Sequence, residues 1–453
     1  MDLINQFARL AVNYINTRND QPVFPGGEAI QRLDEFAAPL QAEPLDPGSV
    51  LAMLDRIGSP ATVKSAAGRY YGFVTGGSLP AALSAKLLAS VWDQNSALSV
   101  MSPVAAKLET VAAQWIISAV GLPQDCGYGF VTGDTMANFT ALAAARHQLL
   151  KQLGWNVEAQ GLFGAPEIDV IVGNEVHVSV LKALSMLGFG KDRLIRVPVD
   201  KQGSMLPDKI PPITTPTIVC TQAGNVNTGA FDPVKEICTR LHASPCWVHV
   251  DAAFGLWAAA SPAKKYLAQG MELAHSWATD AHKWLNVPYD CGLVFVRDKE
   301  ALYKAMTSSA AYLPTDGIRE PMHYVPEMSR QARAIPVWAA LKSLGTKGLA
   351  ELIEKNCGQA RYLAEHLRAA GFTILNDVVL NQVLVSFGDP ELTRQVITRV
   401  QQEGVCWCGG TVWQEKTAMR ISVSCWATTQ EDLDRSLVSI IKHANSVKHS
   451  QNE

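Results

Sequence analysis

Apolar positions along the chain follow two periods that replace one another in turn. From Phe130 onward, short runs that are apolar at nearly every position alternate with stretches of helical spacing. The runs are 168–172 (IDVIV), 216–221 (PTIVCT), 246–251 (CWVHVD), 275–279 (HSWAT) and 292–297 (GLVFVR), and the helical stretches lie at about 135–150, 178–187 and 233–241. Runs without a polar face suit strands covered on both sides, so the alternation predicts the α/β class with a mainly parallel sheet.

Beyond residue 330 the pattern changes. Trp338, Leu341, Leu344, Leu349 and Ile353 mark a long amphipathic helix with a weak break at Gly345 and Gly348, and FTILN, VLVSF and MRISVS supply strands between two helices. This reads as a smaller α+β domain. Before residue 60, Pro22, Pro25, Gly26, Gly27, Pro44, Pro47 and Gly48 cut the chain into helices joined by loops. The first fifteen residues set Leu3, Ile4, Phe7, Leu10, Ala11, Tyr14 and Ile15 at helical spacing, interrupted by Asn5, Gln6 and Arg9. That is a docking helix, for a partner subunit, rather than a signal-peptide core. The expected division is a helical arm over 1–60, a large domain over 61–340 and a small C-terminal domain over 341–453.

Charge narrows the function classes. Lys and Arg number 39 against 42 Asp and Glu, a net charge of −3. Such a balance leaves no electrostatic footprint for nucleic acid or an anionic membrane. No apolar stretch reaches the roughly 18 residues that a bilayer span needs. The nine cysteines are scattered and odd in number, which fits a reducing cytoplasm, and Cys406 with Cys408 lacks the second ligand pair of a zinc site, so no metal is expected.

Within this frame one lysine stands out. Lys283 lies between two apolar strands, after His282 and before Trp284, where an ammonium is costly to bury unless it is compensated or used. A desolvated lysine condenses with carbonyls, the aldehyde of pyridoxal phosphate among them. Thirty-two residues upstream, a strand ends in Asp251-Ala252-Ala253-Phe254. A carboxylate at a strand's carboxyl end either holds a pyridine nitrogen protonated or caps the following loop. The segment 129–138 (GFVTGDTMAN) runs from a Gly-rich turn into a helix, so backbone N–H groups and the Thr135 hydroxyl can gather on a phosphate, or simply form a capped turn. His177 follows another strand and either stacks on a cofactor ring or packs as a satisfied core histidine.

These segments resemble the group II pyridoxal-phosphate-dependent amino-acid decarboxylases. The likeness rests on Ser276 to Arg297 around Lys283, on Tyr70-Tyr71-Gly72-Phe73, and on Ser102-Pro103 with Glu109 and Trp115. The resemblance implies the aspartate-aminotransferase type I fold and a homodimer acting on an L-amino acid. It implies that Lys283 carries the cofactor, Asp251 pairs with its ring nitrogen, and His177 stacks on the ring. Gly133, Asp134, Thr135 and His282 would hold the phosphate, and Ala253 would let the ring lie flat.

The chain departs from the family at three places. Asp280 stands in the cofactor segment where Asn is frequent, and Asn225 stands near where Thr meets the phenolic oxygen. The proton-donating loop tyrosine maps into 308–330, with Tyr324 favoured over His323 on a closing lid, or else packed at an interface. Tyr70, Tyr71, Phe73 and Trp92 suggest an aromatic-lined mouth. Arg420 is a candidate for the substrate α-carboxylate, or for a structural ion pair. Decarboxylation is the expected reaction. The alternatives are carbon–carbon lyase chemistry, oxidative deamination giving an aldehyde, and cofactor binding without turnover.

Overall fold

The computed structural model describes residues 2–308 and 319–452. The described chain divides into two compact units, one of Met1–Gly77, Gln359–Leu375 and Val383–Glu453, the other of Ser78–Gly358 and Asn376–Gln382. The sequence-based divisions near 60 and 340 are drawn elsewhere. Residues 61–77 pack with the C-terminal segments: Arg69 pairs with Asp432 at 3.1 Å, and its Nε donates to the Val405 carbonyl. Contacts so distant in the chain leave no periodic trace.

The second unit is built on a seven-stranded sheet in the order β1-β7-β6-β5-β4-β2-β3. The strands are β1 (Gly127–Val131), β2 (Asp169–Gly173), β3 (Ile195–Val197), β4 (Thr217–Gln222), β5 (Cys246–Asp251), β6 (Ser276–Asp280) and β7 (Gly292–Val296). Neighbours from β6 through β3 run parallel, and β7 lies antiparallel between β6 and β1. Strands β4, β6 and β7 are buried at every position, which explains the continuous apolar run LVFV of β7. The helices Asp134–Gln152, Val178–Met186 and Val234–Leu241 fall where helical spacing placed them. Strand β1 takes in residues 129–131 of the segment that the sequence offers as a Gly-rich turn leading into a helix. The glycines serve close packing: a Cβ on Gly129 would stand 2.7 Å from the Tyr324 carbonyl oxygen.

The first unit carries a four-stranded sheet, β10-β11-β9-β8, of β8 (Thr373–Ile374), β9 (Gln382–Ser386), β10 (Gly409–Trp413) and β11 (Lys416–Ser422). The helix Ala334–Ala369 breaks at Gly345, whose φ of 61° and ψ of −175° lie outside helical values. The N-terminal helix Asp2–Thr17 buries no residue and leaves Leu3, Ile4, Phe7 and Ile15 exposed. Among the described residues, no helix is long and apolar enough to cross a membrane.

Candidate active site

Parallel strands deliver their last residues to one edge of the sheet, and that is where the chemistry gathers. Asp251 ends β5, Asp280 ends β6, and His177 and Asn225 follow β2 and β4 by a few residues. Gly292, at the start of β7, sits beside both Asp280 and Val131 in the ladder. A Cβ there would meet the Gly133 carbonyl carbon at 2.4 Å, so the turn after β1 presses directly onto the sheet. A cavity of about 290 Å³ at this edge is lined by Gly133, Asp134, Thr135, His177, Asp280, His282 and Lys283, together with Thr132, Met136 and Ser179.

Lys283 Nζ lies 2.8 Å from Asp280 Oδ2. Burial works against its charge, yet Asp280, Asp134 and Asp251 outweigh that and hold the ammonium well above the ordinary lysine range. Three buried carboxylates thus face one buried cation. Burial, and then repulsion from Asp251 and Asp280, push the Asp134 carboxyl well above the usual carboxylate range, and Lys283 pulls it back. Asp134 opens the helix Asp134–Gln152, whose first N–H groups point at the cavity edge as the positive end of the helix dipole.

Two histidines have defined edges. The backbone N–H of Ser179 donates to His177 Nδ1 at 3.3 Å, and the backbone N–H of Cys291 donates to His282 Nδ1 at 3.1 Å. A backbone N–H is only a donor, so both Nδ1 atoms accept and the proton of each ring sits on Nε2. Burial keeps His282 neutral by lowering its pKa, and Tyr289 stacks on its ring at 4.3 Å.

Beneath the cavity runs a buried polar network that the sequence reading passed over. Ser179 Oγ lies 2.8 Å from His177 Nδ1, 3.2 Å from Asp134 Oδ2 and 3.5 Å from Asp251 Oδ2. Asn138 Nδ2 donates to Asp134, and His249 Nε2 meets Asn138 Oδ1 at 2.7 Å. The signal was present in the motifs: Asn138 closes GDTMAN, and His249 stands two residues before Asp251.

The other expected site residues stand as follows. Ala253 accepts the Asp280 N–H and so ties the turn after β5 to β6. Asn225 folds Oδ1 onto the backbone N–H groups of Asn227 and Thr228, while its Nδ2 is buried without a hydrogen-bond partner. Tyr324 is not at a loop tip. It packs beside β1, with the Arg319 guanidinium 4.3 Å over its ring, and it is absent from the cavity lining. Arg319 and Arg330 both pair with buried Glu109, which pins this stretch down. Residues 309–318 of the expected lid lie outside the described residues.

In the other unit, Tyr71 is a correction. It is a core residue, 1% exposed, whose hydroxyl meets Ser436 Oγ at 3.1 Å, so it lines no mouth. Phe73 is 65% exposed and stacks on Trp407 at 5.4 Å. Arg420 has no carboxylate within ion-pair distance among the described residues, and burial lowers its pKa.

The residues at the sheet edge fit pyridoxal phosphate. Asp134 Oδ1 and Asp280 Oδ1 are buried without hydrogen-bond partners, so the site is polar beyond what the chain itself satisfies. A Cβ on Gly133 would come within 3.3 Å of His282 Cε1, which shows how closely the turn approaches the histidine edge. The first backbone N–H groups of the helix that starts at Asp134 and the Nε2–H of His282 supply donors for a phosphate.

Comparison with known proteins agrees. The model of the pyridoxal-dependent decarboxylase conserved domain matches residues 31–388. The acidic amino acid decarboxylase GADL1 of Mus musculus is 28% identical over 325 residues, 68% of this chain and 58% of that protein. The Bos taurus and Homo sapiens counterparts are matched over 55% of their length, so the alignments span little more than half of these relatives. The aromatic-L-amino-acid decarboxylase of Bacillus atrophaeus is 25% identical over 452 residues, 94% of this chain and 92% of that one. The crystal structure of Oryza sativa TDC with PLP and tryptamine superposes with a TM-score of 0.89 over 98% of this chain and 97% of the other, at 20% identity. That likeness establishes the type I fold.

Proposed function

The chain belongs to the pyridoxal-dependent decarboxylase family, and we propose that it decarboxylates an L-amino acid to the corresponding amine and carbon dioxide. The observation that carries this reading is the buried Lys283, held among Asp134, Asp251 and Asp280 at the carboxyl edge of the sheet. When bound, pyridoxal phosphate supplies an aldehyde for the lysine amine and a protonated ring that draws electrons away from the substrate Cα.

Each residue then has a task. Lys283 anchors the cofactor and exchanges its place with the substrate amine. Asp251, 3% exposed and oriented by the Ala253 N–H on Oδ1, holds a proton on the ring nitrogen. Gly133, Asp134 and Thr135 present the helix N-terminus to the phosphate, with His282 Nε2–H beside them. Asn225 Nδ2 is the donor left for the phenolic oxygen. His177 covers the ring face and carries its proton on Nε2, ready for transfer to Cα. Arg420, which has no ion pair among the described residues, is the candidate anchor of the substrate carboxylate. The reducing cytoplasm suits nine cysteines that form no disulfide among the described residues.

A second copy of the chain is the partner that best covers the exposed apolar face of Asp2–Thr17. The placement of Tyr324 favours one further reading. With that phenol clasped by Arg319, protonation of Cα is slow, and dioxygen as the oxidant takes two electrons from the decarboxylated substrate, so that water addition releases an aldehyde, ammonia and hydrogen peroxide instead of an amine.

Incubation of the purified protein with a panel of L-amino acids, following carbon dioxide, amine and aldehyde together, tests these readings. Carbon dioxide with stoichiometric amine supports decarboxylation. Aldehyde supports the second reading, and no product from any amino acid contradicts both.

A further inference from the structure

Resting on that reading, a second question is how the cofactor becomes attached. An ammonium has no lone pair for an aldehyde, so Lys283 must lose a proton first. Its surroundings hold that proton tightly, with the Asp280 side chain 2% exposed and that of Lys283 18%. The groups facing Asp280 are Lys283, His282, Asp134 and Asp251, with Asp290 beyond His282.

Among the described residues, one acceptor is in line. Asp280 Oδ2 lies 2.8 Å from Nζ, while the other carboxylates have no hydrogen bond to the lysine. The Asp280 backbone is held on both sides, by the Ala253 carbonyl on its N–H at 2.9 Å and by Trp257 Nε1 on its carbonyl at 3.0 Å. Its second oxygen, Oδ1, is buried without a hydrogen bond, although His282 Nε2 stands 3.4 Å away. Asp280 is therefore a fixed carboxylate with one oxygen on the lysine and one in reserve.

We propose that Asp280 is the acid–base catalyst of cofactor attachment. The Nζ–H bond breaks and its proton passes to Oδ2, which makes Asp280 neutral. The freed lone pair forms a bond to the aldehyde carbon, the C=O π pair moves to oxygen, and a second nitrogen proton follows it to give a hydroxyl. Asp280 returns its proton to that hydroxyl, which leaves as water while the nitrogen lone pair closes the C=N double bond. The nitrogen keeps one hydrogen and the positive charge, and Asp280 is again a carboxylate beside a cation. No proton is drawn from or lost to solvent.

The test is rapid mixing of the apoprotein with pyridoxal 5′-phosphate, and separately with pyridoxal, at pH 7 to 8.5, with the adduct at Lys283 trapped by borohydride and measured by mass. Wild-type attachment is expected to vary less than about twofold over this range, because the proton shuttles internally. Asp280→Asn attachment is expected to be slower by about 10²–10⁴-fold, the usual contribution of a positioned acid–base group, and to rise steeply with pH. Asp280→Glu restores the flat profile. Use of pyridoxal separates proton transfer from phosphate repulsion, and the same contrast is expected with it. Attachment by Asp280→Asn at the wild-type rate and profile would overturn the proposal. If that variant does not fold, a wild-type rate that climbs about tenfold per pH unit overturns it as well. Absence of any Lys283 adduct in the wild type would instead contradict the proposed function.

Discussion

Two buried clusters in this chain are satisfied to very different degrees. Around Lys283, three carboxylates share one cation, and oxygens of Asp134 and Asp280 are buried with no hydrogen bond. Around Trp407, Tyr70 stacks at 5.2 Å, Tyr71 hydrogen-bonds Ser436, and a Cβ on Gly72 would strike the indole at 2.3 Å. The second cluster is complete as it stands. The first is costly without something to complete it, since unpaired buried polar atoms oppose folding. The difference teaches where to look for function, because buried aromatic residues need no explanation beyond packing, whereas buried unpaired charge does.

Perturbing each cluster should therefore have opposite signatures. Asp251→Ala is expected to cut turnover by about 10²–10³-fold, the cost typical of losing one preorganised electrostatic group, with an unchanged circular dichroism spectrum. Loss of fold with retained specific activity would erase the contrast. Gly292→Ala drives a Cβ into the Gly133 backbone, and is expected to cost about 1–3 kcal/mol in urea unfolding along with weaker cofactor binding by fluorescence titration. A variant as tight and as stable as the wild type would show that the turn yields freely.

Acid sharpens the comparison from another side. Burial lowers the pKa of His249 to about 3 and of His275 to about 4, from the ordinary 6.5. Between those values the unfolded chain binds more protons than the folded one, so stability falls as pH drops from 6.5, by up to about 1.4 kcal/mol per unit for each histidine. The melting temperature is expected to decline over this window, and less steeply in His249→Gln. An identical slope in the two proteins would remove His249 from the account. Smallest of all, Tyr71→Phe should cost about 1 kcal/mol of stability and leave cofactor affinity unchanged. A marked change in affinity would return Tyr71 to the site.

Legibility in the sequence followed the same divide. Strand β5 was readable because a mostly apolar run ending in a carboxylate has few explanations, and Lys283 because its neighbours make it expensive. Strand β1 was hidden by its glycines. Tyr71 was misread because an aromatic side chain serves a core and a pocket equally well. Ser179, Asn138 and His249 were passed over, since a polar network exists only once strands and helices have brought its members together. The grouping of residues 61–77 with the C-terminal segments depends on pairs such as Arg69 and Asp432, which no local pattern announces.

The central claim is that Lys283 is buried in order to carry a cofactor. Borohydride reduction of the protein with pyridoxal 5′-phosphate, followed by peptide mass mapping, tests it most directly. The account predicts one phosphopyridoxyl group on Lys283 in the wild type and none in Lys283→Ala, with loss of the visible absorption band. Stoichiometric labelling of another residue, or a band that persists in Lys283→Ala, would contradict it.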